Sequence, residues 1–148
     1  LNKLNQLLGG QHPTPELIKT LDPHEFVKIR LAVKKYQALS QLADYWQEHY
    51  LDQVNWALLD DDQVKSILLP VKGVGEWTVD MILLYTLERP NIFNPHDFQL
   101  KKVMKTCYGL TEGASFTRNM AEIAQKWDPY KSLAVKYLLA WQTYSKQK

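Results

Sequence analysis

Along most of this chain apolar residues return every three or four positions, and no apolar–polar alternation of the strand kind lasts. The opening segment LNKLNQLL repeats leucine at helical spacing and halts at Gly9-Gly10, a helix-end signal. Thr14-Pro15-Glu16 and Asp22-Pro23-His24 each offer a capping side chain followed by proline at the first helical position, so each opens a short helix. From Leu31 to Tyr50, Val33, Tyr36, Leu39, Leu42, Ala43 and Trp46 form one apolar face of a long amphipathic helix. A polar connection follows, and Asp60-Asp61-Asp62 marks the next start, running from about Asp62 to Leu69 and stopped by Pro70. Further helices are predicted from Gly75 to about Leu87, from Asn94-Pro95 through Met104, from Ala121 to Trp127 and from Tyr130 to Tyr144. The class is all-α, with eight or nine short helices and no internal domain boundary.

Composition narrows the field modestly. A length of 148 residues suits one domain with a real core. The lone cysteine, Cys107, excludes an internal disulfide and a Cys-ligated zinc or iron–sulfur site, which fits a reducing compartment and a cytoplasmic location. His12, His24, His49 and His96 are scattered without metal-ligand spacing, and the acidic run at 60–62 reads as a solvated cap. No apolar run approaches the roughly 20 residues of a membrane helix, and no signal peptide is legible. A net charge of +2 neither demands nucleic acid nor opposes a small, focused contact with it.

The informative stretch is LPVKGVGEWTVDMILLY, residues 69–85, where Val71-Lys72-Gly73-Val74-Gly75 joins two predicted helices. Gly73 can take a positive φ, Gly75 permits close backbone approach, and Val74 can pin the turn into the core. Free N–H groups at the second helix's start prefer an anion such as a phosphate, and Lys72 adds a cation beside them. On G-x-G alone, an ordinary glycine-bearing corner is the favoured reading. Asp97, 22 residues after Gly75, stands at a helix start; it reads as a cap, and it also suits stabilisation of a developing positive charge. Trp77 and Trp141 supply aromatic faces that either pack or stack on bases.

Together, Gly73-Val74-Gly75-Glu76-Trp77-Thr78, the apolar helix to Tyr85, the Arg89-Pro90-Asn91-Ile92-Phe93 loop and Asp97 closely resemble the helix–hairpin–helix DNA glycosylases of the 3-methyladenine type. Downstream, Trp127, Pro129, Tyr130, Ser132 and Ala134 resemble that family's W-x-P-W/Y-R-S-x-A segment, and a later tryptophan, Trp141, follows. The likeness covers roughly residues 8 to 145, with the helix–hairpin–helix motif at about 62–87 inside one glycosylase domain spanning 1–148.

The resemblance implies excision of alkylated purines such as 3-methyladenine from double-stranded DNA, after extrusion of the damaged nucleotide. Asp97 matches the catalytic aspartate, which stabilises an oxocarbenium-like sugar and helps position water. Trp77 and Trp141 match base-stacking pocket tryptophans. Lys72, Gly73, Val74, Gly75 and Thr78 match the phosphate-binding hairpin, with a Na+ or K+ ion at the Val71 and Val74 carbonyls and no other cofactor. Relatives that also cleave the strand carry a lysine nucleophile where Trp77 stands, and tryptophan forms no Schiff base, so a monofunctional enzyme without lyase activity is expected. Val79 and Asn91 are mild departures from the family pattern. The family's further N-terminal helices have no counterpart, so the sequence is expected to be N-terminally truncated. Family members act as monomers, whereas a domain without that wall would expose apolar surface and self-associate. A non-catalytic helix–hairpin–helix DNA-binding module and an inactive, self-associating fragment are the alternatives.

Overall fold

The structure, a computed structural model, describes residues 2–28 and 33–145. Among the described residues it holds nine α-helices and no strand: α1 (Asn2–Leu7), α2 (Pro15–Thr20), α3 (Pro23–Lys28), α4 (Val33–Glu48), α5 (Asp61–Leu68), α6 (Glu76–Tyr85), α7 (Phe98–Tyr108), α8 (Phe116–Gln125) and α9 (Lys131–Ser145). A single 3₁₀ turn, Leu51–Gln53, occupies the connection after α4. The predicted start of α4 at Leu31 lies outside the described residues. None of the helices is long and apolar enough to cross a membrane.

The punctuation read from the sequence operates as chemistry predicts. The Leu17 N–H donates to Thr14 Oγ1 at 3.3 Å, and Pro15 occupies the first turn of α2. The His24 N–H donates to Asp22 Oδ1 at 2.8 Å at the head of α3. Gly9 and Gly10 both take positive φ after α1. Two starts are corrected. Helix α7 begins at Phe98, not at Asn94, because the Asn94 side chain is engaged elsewhere and Asp97 supplies the cap. Helix α8 begins at Phe116, five residues ahead of Ala121, burying Phe116, Met120 and Ala124 along one face.

The chain forms two compact units, Leu1–Leu59 with Ser66–Val74, and Asp60–Lys65 with Gly75–Lys148. In the first, α2 and α3 pack on α4. Ile18, Phe26, Ala43, Leu51 and Leu68 are buried, and Phe26 meets Tyr36 edge-to-face at 5.2 Å. The Tyr45 hydroxyl donates to the Ile67 carbonyl at 2.9 Å, holding the end of α5 to α4.

In the second unit α6 is apolar on nearly every side and carries the buried Val79, Leu83 and Leu84. Leu100, Val103 and Met104 of α7, Met120 of α8 and Val135 of α9 join the same unit's core, and α7 packs on α9. The loop between α6 and α7 is tied to the head of α9. Ser132 Oγ donates to the Arg89 carbonyl at 2.5 Å and accepts from the Ile92 N–H at 2.8 Å, while the Ser132 N–H reaches the Pro90 carbonyl at 3.0 Å.

Candidate active site

Asp97 is the N-cap of α7, and only 7% of it is exposed. Its Oδ1 accepts the Leu100 N–H at 2.7 Å, the bond that stops the first turn of the helix from fraying. Its Oδ2 accepts the indole N–H of Trp77 at 2.5 Å. Both oxygens are thus held, one by its own helix and one by α6. A second bond from α6 fixes the same turn: Asn94 Nδ2 donates to Asp80 Oδ2 at 2.7 Å. Asn94 then accepts from its own segment, the His96 N–H on Oδ1 at 2.8 Å and the Asp97 N–H on its carbonyl at 3.2 Å. Asp80 is itself buried at 8% exposure and has Lys65 Nζ at 3.4 Å from Oδ1. Residues 77 and 80, one turn apart on α6, therefore aim the Asp97 carboxylate.

The carboxylate opens on a cavity of about 560 Å³, lined by Trp77, Met81, Tyr85, Asp97, Gln99, Leu139, Gln142 and Thr143. Trp77 is half exposed, at 52%, so its ring face is available although its N–H is committed. Burial, with the Asp97 charge as a smaller cause, raises the Tyr85 hydroxyl above its ordinary pKa.

The expected site residues do not all converge here. Trp77 and Asp97 share the cavity. Trp141 does not line it; the residue lies in a separate apolar groove with Cys107, Tyr108, Trp127, Ala134, Tyr137 and Leu138. One residue along α9 is a rotation of about 100°, which turns 141 away from the face carrying Leu139 and Gln142. The spacing of Val135, Leu139 and Gln142 carried that signal in the sequence, a buried-side row in which position 142 is polar.

The hairpin residues occupy positions 69–75 between α5 and α6. Gly73 has φ +89°, a conformation that favours glycine, and a Cβ there would meet only Ala38 Cβ at 3.7 Å. Val71 is buried, and its carbonyl accepts the Val74 N–H at 2.9 Å. Gly75 is the N-cap of α6 at φ −106°, and a Cβ there would meet nothing within 4 Å. Lys72 is exposed, and Thr78 lies part-buried in the first turn of α6. No group of three or more His, Cys, Asp or Glu among the described residues could hold a metal ion.

No family model matches the chain. YfjP of Bacillus subtilis (strain 168) is 27% identical over 127 residues, covering 86% of this chain and 44% of that protein. DNA-3-methyladenine glycosylase 2 of Escherichia coli (strain K12) is 27% identical over 130 residues, 88% of this chain and 44% of its own length. The chain thus spans under half the length of these two relatives. The crystal structure of a DNA-3-methyladenine glycosidase from Bacillus halodurans superposes with a TM-score of 0.76 at 23% identity, covering 94% of this chain and 64% of that one. The fold is therefore the all-α fold of that glycosidase, with a hairpin between two helices at 69–75. In sequence the chain is similar to DNA-3-methyladenine glycosylases.

Proposed function

We propose that the protein excises alkylated purines from double-stranded DNA by monofunctional hydrolysis of the N-glycosidic bond. The observation that carries this is the Trp77–Asp97 pair: a buried, doubly held carboxylate beside a half-exposed indole in one cavity. A phosphate-binding module needs neither. In this reading an extruded base stacks on the face of Trp77. As the glycosidic bond lengthens, positive charge develops on the sugar, and the fixed carboxylate of Asp97 stabilises it without reorganising. An N-alkylated purine is already cationic and leaves readily, so the site does not depend on a strong general acid. Trp77 supplies no amine for a Schiff base, so the product is an intact abasic strand.

The hairpin would hold a backbone phosphate through the N–H groups of Gly73 and Gly75, with Lys72 beside them and Thr78 in the first turn of α6. A monovalent cation at the Val71 and Val74 carbonyls belongs to the same reading. The Val71 oxygen accepts one hydrogen bond and keeps a second lone pair for such an ion, which would add positive charge beside a phosphate.

The test is base release from methylated duplex DNA by the parent and by Asp97→Asn. Asparagine caps helices as well as aspartate does, so the fold and DNA affinity are expected to persist while excision falls by at least about a hundredfold. Equal excision by the variant would remove Asp97 from the chemistry. Parallel loss of DNA binding and thermal stability would leave it only a cap. Strand breaks without added base or heat would overturn the monofunctional assignment.

A further inference from the structure

The cavity beside Asp97 has one polar side chain with nothing to do in the protein. Thr143 donates its hydroxyl to the Leu139 carbonyl at 3.1 Å. Trp77 and both oxygens of Asp97 are committed as described. Gln99 and Tyr85 are exposed. Gln142 differs from all of these. It is more than nine-tenths buried, at 8% exposure, it lines the cavity, and its amide has no hydrogen-bond partner among the described residues. Its backbone carbonyl, by contrast, accepts from Ser145 Oγ at 3.1 Å. The Gln142 amide is not sealed in the core but reaches the open cavity that it lines. The neighbouring lining residues Met81 and Leu139 are apolar and offer it no hydrogen bond there.

From this we infer that Gln142 is a specificity-determining residue, whose amide reads the edge of the extruded base. The inference rests on the glycosylase reading above and adds to it a contact and a preference. A glutamine amide presents a donor, Nε2–H, next to an acceptor, Oε1. It is complemented by a base with an amino donor next to a ring-nitrogen acceptor. A 6-aminopurine offers that pair at N6 and N7, the combination that Gln and Asn bind bidentately in nucleic acids. A purine alkylated at N3 retains both groups. An N7-alkylated guanine retains neither: its N7 carries the alkyl group, and its O6 would face Oε1 acceptor to acceptor. Gln142 therefore favours 3-alkyladenine over 7-alkylguanine, whereas Trp77 stacks on both alike.

The experiment compares the parent, Gln142→Leu and Gln142→Glu on duplex DNA methylated to contain both lesions, with released 3-methyladenine and 7-methylguanine quantified separately. Quenching of tryptophan fluorescence by each free base is titrated in parallel, and thermal melts verify folding. Gln142→Leu is expected to lower 3-methyladenine release, relative to 7-methylguanine, roughly ten- to hundredfold. It should also abolish the selective quenching by free 3-methyladenine. Gln142→Glu keeps the acceptor and loses the donor, so it should fall between the two. A folded Gln142→Leu or Gln142→Glu protein with the parent's ratio of released bases overturns the inference and leaves the glycosylase reading intact. A parent that releases neither base overturns the glycosylase reading. Selective, Gln142-dependent quenching by the free base would then still support recognition at this residue, and unselective quenching would remove both.

Discussion

Trp77 offers a ring face and an N–H, and the structure assigns them different work. The N–H holds Asp97 Oδ2, while the face stays half exposed to the cavity. Phenylalanine keeps the face and deletes the donor. Trp77→Phe is therefore expected to preserve free-base affinity and melting temperature but to slow single-turnover base release about tenfold, the value of a hydrogen bond to a charged group. An unchanged rate would show that the indole N–H does not aim the carboxylate. Local rules mark Asp97 as a cap and Trp77 as an aromatic in a first helical turn, and the resemblance to the glycosylases is what suggested reading them together. Neither marks Gln142. Its significance comes from what two other elements, α6 and the capped start of α7, place around it, and one residue of helical phase separates it from the more conspicuous Trp141. An aromatic residue draws attention in a sequence whichever way it points.

The hairpin between α5 and α6 depends on two glycines for different reasons. Gly73 needs its φ of +89°, and a side chain there has room, with only Ala38 at ordinary contact distance. Gly73→Ala should therefore cost about 1–2 kcal/mol through backbone conformation alone, read as a lowered midpoint in denaturant. Gly75 has an extended backbone and open space around the missing Cβ. Nothing in the fold requires glycine there. Gly75→Val is expected to cost about 1 kcal/mol, because valine is a poorer N-cap than glycine, and to weaken duplex binding roughly tenfold, to the same degree on every sequence. A loss confined to certain sequences would contradict a phosphate contact. Helix boundaries show a parallel division of what a sequence reveals. Starts fixed by neighbouring residues, as at Thr14-Pro15 and Asp22-Pro23, fall where local chemistry puts them. The start of α7 is set by the Asp97 cap, while Asn94, where the sequence suggested a start, is held to Asp80, 14 residues upstream, a bond that no local rule can see.

For the molecule as a whole, charge decides how a nucleic acid would be held. The 18 basic and 16 acidic residues nearly cancel, and several lysines are paired in place: Lys19 with Asp44, Lys28 with Glu25, Lys105 with Glu112 and Lys131 with Asp128. Such pairing removes cations that could otherwise release counterions from a duplex. The proposed contact is correspondingly narrow, a hairpin with Lys72 beside it. Binding should then follow a shallow salt dependence, with a slope of log K against log salt between about −2 and −4, two to four phosphates being neutralised at about 0.9 each. Lys72→Ala should make that slope shallower by about 0.9 and weaken binding evenly across sequences. Fluorescence anisotropy of a labelled duplex between about 50 and 200 mM salt reads both quantities. A slope as steep as about −8 would mean that a broad basic face, rather than the hairpin, carries the affinity. An unchanged slope in Lys72→Ala would place the phosphate contacts away from residues 71–75, leaving the backbone amides of Gly73 and Gly75 without the role proposed for them.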